Sequence, residues 1–320
     1  MKSNTFHTDF SINGNSFSSV EELFSYAKEF STSTNQFLLD WFSANDFIEV
    51  KTSGSTGDPK VIQLRKEFMI NSALATGEFF NLPEKTTALL CMSTEYIAGK
   101  MMLVRAMVLG WKLDIVEPAS NPLKSIDKTY DFSAFVPMQL HNSLEDISRV
   151  NKLIVGGGVV SQELERKIQK ISTEVYATYG MTETITHIAV KKLNHIHNEK
   201  SHYKILPNIA ISQDQRNCLV ISAPKIVKDI VITNDVVELI SETEFKWLGR
   251  IDNVINSGGI KLHPEEIEKK LSQIISQRFF VAGIPDSKLG EKLILIIEKN
   301  VISSAVVKSL KEYELKIRES

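Results

Sequence analysis

Along the first 186 residues, apolar positions gather in short unbroken runs that alternate with stretches of helical spacing. Residues 37–42 read as a helix, and 47–50 as a strand leading into a Gly-rich stretch at 52–60. Residues 66–80 place apolar side chains at helical intervals, 87–92 form a short buried strand, 99–110 a helix and 112–118 a strand. Three strand-then-turn units follow at 131–137, 152–158 and 174–180, with helices predicted at 138–148 and 161–171 between them. This alternation is the pattern of a parallel sheet with crossover helices.

After about Thr186 the pattern changes. Residues 187–193, 210–214, 218–223, 229–233 and 236–241 are short β segments separated by turn residues, with no helix among them, which predicts an antiparallel subdomain. From Asn253 onward a third pattern holds: an extended stretch at 254–263, a helix at 264–275 with Pro264 in its first turn, strands at 279–285 and 292–298, and a final helix at 303–319. The expected fold class is therefore α/β. A large N-terminal domain, residues 1–251, combines the parallel sheet with the antiparallel β subdomain, and a small α+β domain, residues 252–320, follows a hinge.

Charge narrows the partners. Thirty-seven Lys and Arg oppose 39 Asp and Glu, a net charge of −2, so no excess of positive charge argues for nucleic acid or an anionic membrane. An anionic ligand would need a local site. Cys91 and Cys218 lie far apart in apolar runs, as reduced buried residues rather than a disulfide framework or zinc cluster. The most apolar run, Met101 to Leu109, is broken by Arg105 and too short to span a bilayer, and the N-terminus has no signal-peptide core. A soluble cytoplasmic protein is expected.

The candidate chemistry begins at Thr52-Ser53-Gly54-Ser55-Thr56-Gly57-Asp58-Pro59-Lys60. Hydroxyls and backbone N–H groups in such a loop can face phosphate oxygens, with Lys60 adding a cation. Its glycine spacing is not that of a Walker loop, and alone it also reads as a polar turn with incidental glycine. Further fragments follow in order: Gly156-Gly157-Gly158, Tyr179-Gly180-Met181-Thr182-Glu183-Thr184, Thr233-Asn234-Asp235, Leu248-Gly249-Arg250-Ile251-Asp252, Ser257-Gly258-Gly259 and Pro264-Glu265-Glu266. Taken singly, Tyr179 also reads as a core aromatic, Glu183 as a helix-start carboxylate, Asp235 as a turn former, and the triple glycine as a sharp strand exit.

Taken together, from about Thr52 to Lys292, these fragments resemble the adenylate-forming superfamily of acyl-CoA synthetases, peptide-synthetase adenylation domains and luciferases. The resemblance implies a carboxylate attacking the α-phosphate of ATP, followed by displacement of AMP by the thiol of CoA. It also implies roles. Ser53, Gly54, Ser55, Thr56, Gly57 and Lys60 belong to the loop holding the β- and γ-phosphates, Thr182 bonds the α-phosphate, and Glu183 holds Mg²⁺. Tyr179 and Gly180 lie along adenine, Gly156 to Gly158 form its other wall, and Asp235 with Arg250 grips the ribose. Asp252 marks the hinge, and Ser257, Gly258, Gly259 and Lys261 face the CoA side.

Within the superfamily, Ser93 to Met102 with Arg105, and Gly258 to Leu262, are similar to short o-succinylbenzoate:CoA ligases of menaquinone biosynthesis. A dicarboxylate substrate wants a cation beside an apolar pocket, which Arg105 or Lys100 supplies unless both face solvent on their helix. Tyr96 and His187 are further substrate-side candidates, though His187 also reads as a strand histidine; His141, His195, His197 and His202 read as surface residues. Two departures stand out. Family members carry well over a hundred residues before the phosphate loop, which here starts at Thr52, and they close on a Gly-Lys turn whose lysine assists adenylation. No such turn follows Lys316 to Ser320, and Gly290-Glu291-Lys292 precedes a strand instead, so either the small domain is truncated before that turn or the lysine has been lost. Loss of one such stabiliser costs about 10²–10³ in rate. Three expectations follow: a slowed o-succinylbenzoate:CoA ligase, a different carboxylate-adenylating ligase, or a nucleotide binder with impaired catalysis.

Overall fold

The computed structural model describes residues 5–51, 61–196, 201–275 and 277–298. The chain divides into two compact units: Met1–Ile211 with Ile221–Val231 and Ile240–Glu244, and Ser212–Val220 with Ile232–Leu239 and Phe245–Ser320. The second unit thus takes strand segments that precede Asp252.

In the first unit the apolar runs become the expected parallel strands, ordered Lys112–Ile115, Thr87–Leu90, Tyr130–Phe135, Val150–Val155 and Glu174–Gly180, and an unanticipated strand, Ser11–Ile12, joins parallel beside Lys112–Ile115. His187–Lys192 and Tyr203–Ile205 continue the sheet antiparallel. Leu89, Phe135, Val155 and Val175 fill one apolar core with the helix residue Leu164. The helix Ile97–Leu109 is buried almost all round, which is why its apolar residues show no single stripe. It ends on Gly110 at φ +70°, where a side chain would run into the His7 ring. Among the described residues, no helix is long and apolar enough to cross a membrane.

Several local expectations change. The helix predicted at 37–42 starts earlier, at Thr32, where Ser31 caps it, and a second capped helix, Val20–Ala27, was not anticipated although Val20, Leu23, Phe24 and Ala27 stand at helical spacing. The helix predicted at 138–148 is only Pro137–Asn142 plus a 3₁₀ turn at Ile147–Arg149, and that at 161–171 is Gln162–Lys167 with a 3₁₀ continuation. Phe47–Lys51 pairs antiparallel with Val61–Arg65, so residues 52–60 join two hairpin strands rather than a strand and a helix.

In the second unit, the segments read as 229–233 and 236–241 are one strand, Val231–Leu239, and Glu244–Arg250, unanticipated, pairs with it. A smaller sheet orders Ile260–Leu262, Ile255–Ser257, Gly290–Ile297 and Phe279–Asp286, all antiparallel. The helix Pro264–Leu271 packs on it through a core of Ile255, Leu271, Ile275 and Val281. The final helix predicted at 303–319 lies outside the described residues.

Candidate functional site

The parallel strands place the candidate motifs. Thr87–Leu90 runs on through a helix to Lys112–Ile115 on one side of itself, whereas Tyr130–Phe135, Val150–Val155 and Glu174–Gly180 build outward on the other. The order reverses between Thr87–Leu90 and Tyr130–Phe135, and ligands of open α/β sheets gather outside the carboxyl ends at such a reversal. Tyr96, Gly156 to Gly158 and Tyr179 to Glu183 all follow the carboxyl ends of these strands. Tyr96 is 58% exposed and opens the helix Ile97–Leu109. Gly157 and Gly158 are exposed, Gly157 at φ +75°, and a side chain on Gly156 would press on the Thr178 hydroxyl.

The turn after Glu174–Gly180 is tightly fastened. A side chain on Gly180 would collide with the Thr186 carbonyl. The buried Thr184 hydroxyl accepts from Met181 N at 3.2 Å and lies 3.0 Å from Met181 O and 2.9 Å from Thr186 O. Tyr179 packs tilted on Tyr203, with centroids 5.8 Å apart. Thr182 is half-buried and Glu183 exposed. Among the described residues the Glu183 carboxylate carries no hydrogen bond or ion pair, and its oxygens suit a hard cation such as Mg²⁺.

Arg105 does not face solvent. Its side chain is 2% exposed; Nε donates to Thr76 Oγ1 at 3.3 Å, and one terminal nitrogen donates to Thr186 Oγ1 at 3.2 Å and approaches His187 Nδ1 at 3.5 Å. Among the described residues no carboxylate pairs with it. Burial pulls its pKa down to about 10, which leaves it a cation at neutral pH. Burial first, and the Arg105 charge second, hold His187 well below the usual histidine range, so its ring is neutral. With an arginine donor facing Nδ1, the ring proton sits on Nε2, toward Thr76 Oγ1 at 3.5 Å.

On its other side His187 walls a cleft of about 320 Å³, measured out to where it opens to solvent, together with Asn71, Ser72, Ala75, Asn208 and Lys225. His187 lines this cleft and Arg105 stands behind it. Lys100 is spent on its own loop, donating to Thr94 O at 2.5 Å and Glu95 O at 2.9 Å.

In the second unit Asp235 lies inside a strand rather than at a turn, opposite Arg250 in register. It is 9% exposed; Oδ1 accepts the Trp247 indole N–H at 3.1 Å, and its own N–H donates to Thr233 Oγ1 at 3.1 Å. Arg250 donates to Asp252 at 3.0 Å, and Asn234 reaches the same oxygen at 3.4 Å. Glu265 accepts from Asn253 at 2.6 Å, clasping the turn Ile251–Asn253, and a side chain on Gly249 would collide with it. Ser257 and Ile260 face each other across Gly258 and Gly259, at φ +60° and +85°, the backbone that tight hairpins demand. Lys261 is exposed beside them.

Ser53, Gly54, Ser55, Thr56, Gly57 and Lys60 lie outside the described residues, as does His197. His141 is exposed, but His195 is half-buried, its Nε2 2.7 Å from Ile171 O, and His202 sits 4.0 Å from Glu244. Three contacts have no sequence signal beyond residue type: Thr76 and Thr186 on Arg105, and Trp247 on Asp235. The three-residue interval from Trp247 to Arg250 and the period-two spacing of Thr184 and Thr186 are the nearest hints.

The profile of the family described as AMP-binding enzyme matches residues 50–215. A crystal structure of an acyl-CoA synthetase (AMP-forming)/AMP-acid ligase II-like protein from Dyadobacter fermentans is 38% identical, over 89% of this chain and 86% of that one, with a TM-score of 0.66. The curated 2-succinylbenzoate–CoA ligase of Haemophilus influenzae is 23% identical over 267 residues, 78% of this chain and 58% of its own length. The o-succinylbenzoate coenzyme A synthetase of Bacillus subtilis, solved with ATP and magnesium ion, shares the fold at 19% identity, with a TM-score of 0.70 over 92% of this chain and 75% of that one. This chain spans 57–60% of the length of the first curated relatives it matches.

Proposed function

This chain belongs to the AMP-binding enzyme family, and we propose from that premise that it activates a carboxylate with ATP and transfers the acyl group to coenzyme A. A carboxylate oxygen attacks the α-phosphorus and pyrophosphate leaves. The CoA thiol, losing its proton, then attacks the acyl carbon and AMP leaves. The observation that carries this reading is the placement of Gly156 to Gly158 and Tyr179 to Glu183 at the carboxyl ends of neighbouring parallel strands. In this proposal Gly156 to Gly158 leave room for a flat base against Tyr179, and Thr182 bonds the α-phosphate. Asp235, oriented by Trp247, accepts from the ribose with Arg250 in support, and Ser53 to Lys60 hold the outer phosphates. Glu183 would hold Mg²⁺, which when bound neutralises phosphate charge.

For the acyl group we propose o-succinylbenzoate. Support comes from the names of the curated relatives at 21–23% identity and from Arg105, which pairs with no carboxylate among the described residues and stands against His187 in the wall of the cleft. Asp252 would serve as the hinge between residues 1–251 and 252–320, bringing Ser257, Gly258, Gly259 and Lys261 to the CoA side for thioester formation.

The test is pyrophosphate release with ATP, Mg²⁺ and o-succinylbenzoate, with CoA added afterwards to look for the thioester. Release that requires the acyl substrate, and drops at least about a hundredfold in Asp235→Ala, is the expected result. ATP-induced thermal stabilisation without release would favour a nucleotide binder, and release with fatty or amino acids alone would favour another ligase.

A further inference from the structure

The turn between Glu183 and His187 contains the one described β-branched residue at positive φ. Ile185 sits at φ +68°, ψ −66°, and Thr186 N bonds back to Thr184 O at 2.8 Å. These are the angles and the bond of the classic γ-turn, a rare and strained conformation for any L-residue and more so for isoleucine.

The neighbours explain why it does not relax. Gly180 pairs with His187, closing the base of the turn, and the Thr186 carbonyl occupies the space a Gly180 side chain would need. Thr184 fastens Met181 on one side and Thr186 on the other. Ile185 itself is 1% exposed, so its side chain is locked in apolar packing. With both flanks fixed, Ile185 absorbs the geometric mismatch.

This residue also divides two sets of groups. On its N-terminal side stand Thr182 and Glu183; on its C-terminal side stand Thr186, held on Arg105 at 3.2 Å, and His187, which walls the cleft. We propose that the turn Thr184–Ile185–Thr186 is a strained coupling element, which links filling of the His187 cleft to the position of Thr182 and Glu183. The inference rests on the reading of this chain as a carboxylate-activating enzyme and adds a positioning role to Ile185, which is buried and does not line the cleft.

The physical logic is that of a two-state element. Strain narrows the margin by which the neighbours hold the empty turn, and a ligand packed against His187 adds to the hold of Thr186 on Arg105 and widens that margin in favour of the γ-turn. Thr182 and Glu183 then receive phosphate and cation already in place. Glycine at residue 185 would form the turn without strain, whether or not the cleft is filled, and the link would vanish.

The experiment is calorimetric titration of the wild-type chain with Mg²⁺ and α,β-methylene-ATP, which cannot release pyrophosphate, in the absence and presence of saturating o-succinylbenzoate. The expected result is nucleotide affinity at least about fivefold tighter with the carboxylate, and the same factor when the order of addition is reversed. In Ile185→Gly that factor falls to within about twofold of unity while each ligand alone binds within about threefold of wild type. Ile185→Val retains the coupling. Thr186→Val, which keeps the shape but removes the acceptor for Arg105, loses it, and this variant decides the matter if melting shows that Ile185→Gly does not fold. Coupling that survives in Ile185→Gly or Thr186→Val overturns the inference, as does a wild-type factor of one when both ligands bind. A wild type that binds neither ligand brings down the proposed function and this inference with it.

Discussion

Arg105 is a fully buried cation whose bonds all go to neutral partners, and burial of a charge on those terms is unfavourable for the fold. Replacing it with an unbranched apolar side chain of similar volume should therefore help the fold and harm the substrate. Arg105→Met is expected to raise the unfolding temperature by a few degrees, while weakening o-succinylbenzoate about tenfold, roughly the worth of a charge acting across one side chain. A lower unfolding temperature with unchanged carboxylate affinity would assign Arg105 to structure instead. His187 gives a pH signature. Because its folded pKa is depressed, the unfolded chain takes up a proton below about pH 6.5 that the folded chain refuses, so stability is full above that pH and falls as the pH drops toward the folded value. Denaturant titrations between pH 7.5 and 5 should show this loss, and His187→Gln should make it shallower. The residue types were legible in the sequence. Their partners were not, because a helical arginine between apolar neighbours carries no mark of whether its helix is buried on every side.

At the scale of elements, the parallel strands were plain because both of their faces are buried and their apolar runs are unbroken. Short helices were over-extended: one stops at Asn142 ahead of Ser143, Glu145 and Asp146, the other passes into a 3₁₀ turn after Lys167, and helical spacing alone does not reveal a stop. The strand Val231–Leu239 was read as two because Asn234-Asp235 looks like a turn; cross-strand pairing with Glu244–Arg250 and a hydroxyl bond from Thr233 overrule that local preference. The turn at Met181–Thr186 offers an element-level test. Gly180→Ala forces a β-carbon onto the Thr186 carbonyl, and should cost about 1–3 kcal/mol of stability, as overpacking usually does. Its effect on pyrophosphate release should be larger still, since the turn must shift to relieve the clash. A variant that melts early but retains full turnover would separate Thr182 and Glu183 from that turn.

For the whole molecule, the expected boundary at Asp252 has a concrete consequence. The second compact unit includes Ser212–Val220, Ile232–Leu239 and Phe245 onward, and Glu265 and Glu266 reach back to Arg250 N and Lys246 across it. A fragment ending at Ile251 should therefore be less stable than the full chain, visible as a broadened thermal transition and weakened amide-exchange protection over 231–250. A fragment as stable as the full chain would support the boundary at Asp252. The family was legible because its motifs need particular residue types in a fixed order, two of them, Gly156 to Gly158 and Tyr179 to Glu183, at the ends of parallel strands. The division into units was not, because it depends on which strands pair and no single segment announces that.

The parallel sheet of the first unit also has a second rim. Its carboxyl ends carry Tyr96, Gly156 to Gly158 and Tyr179 to Glu183, whereas the entrances to the same strands are short exposed stretches such as Asp127 to Thr129 and Ser172. The chain thus has a side by which it can be held. A tether, dye or affinity handle attached at Asp127 or Ser172 grips the rim opposite Tyr96, Gly156 to Gly158 and Tyr179 to Glu183, so an immobilised preparation would present these residues to the passing solution.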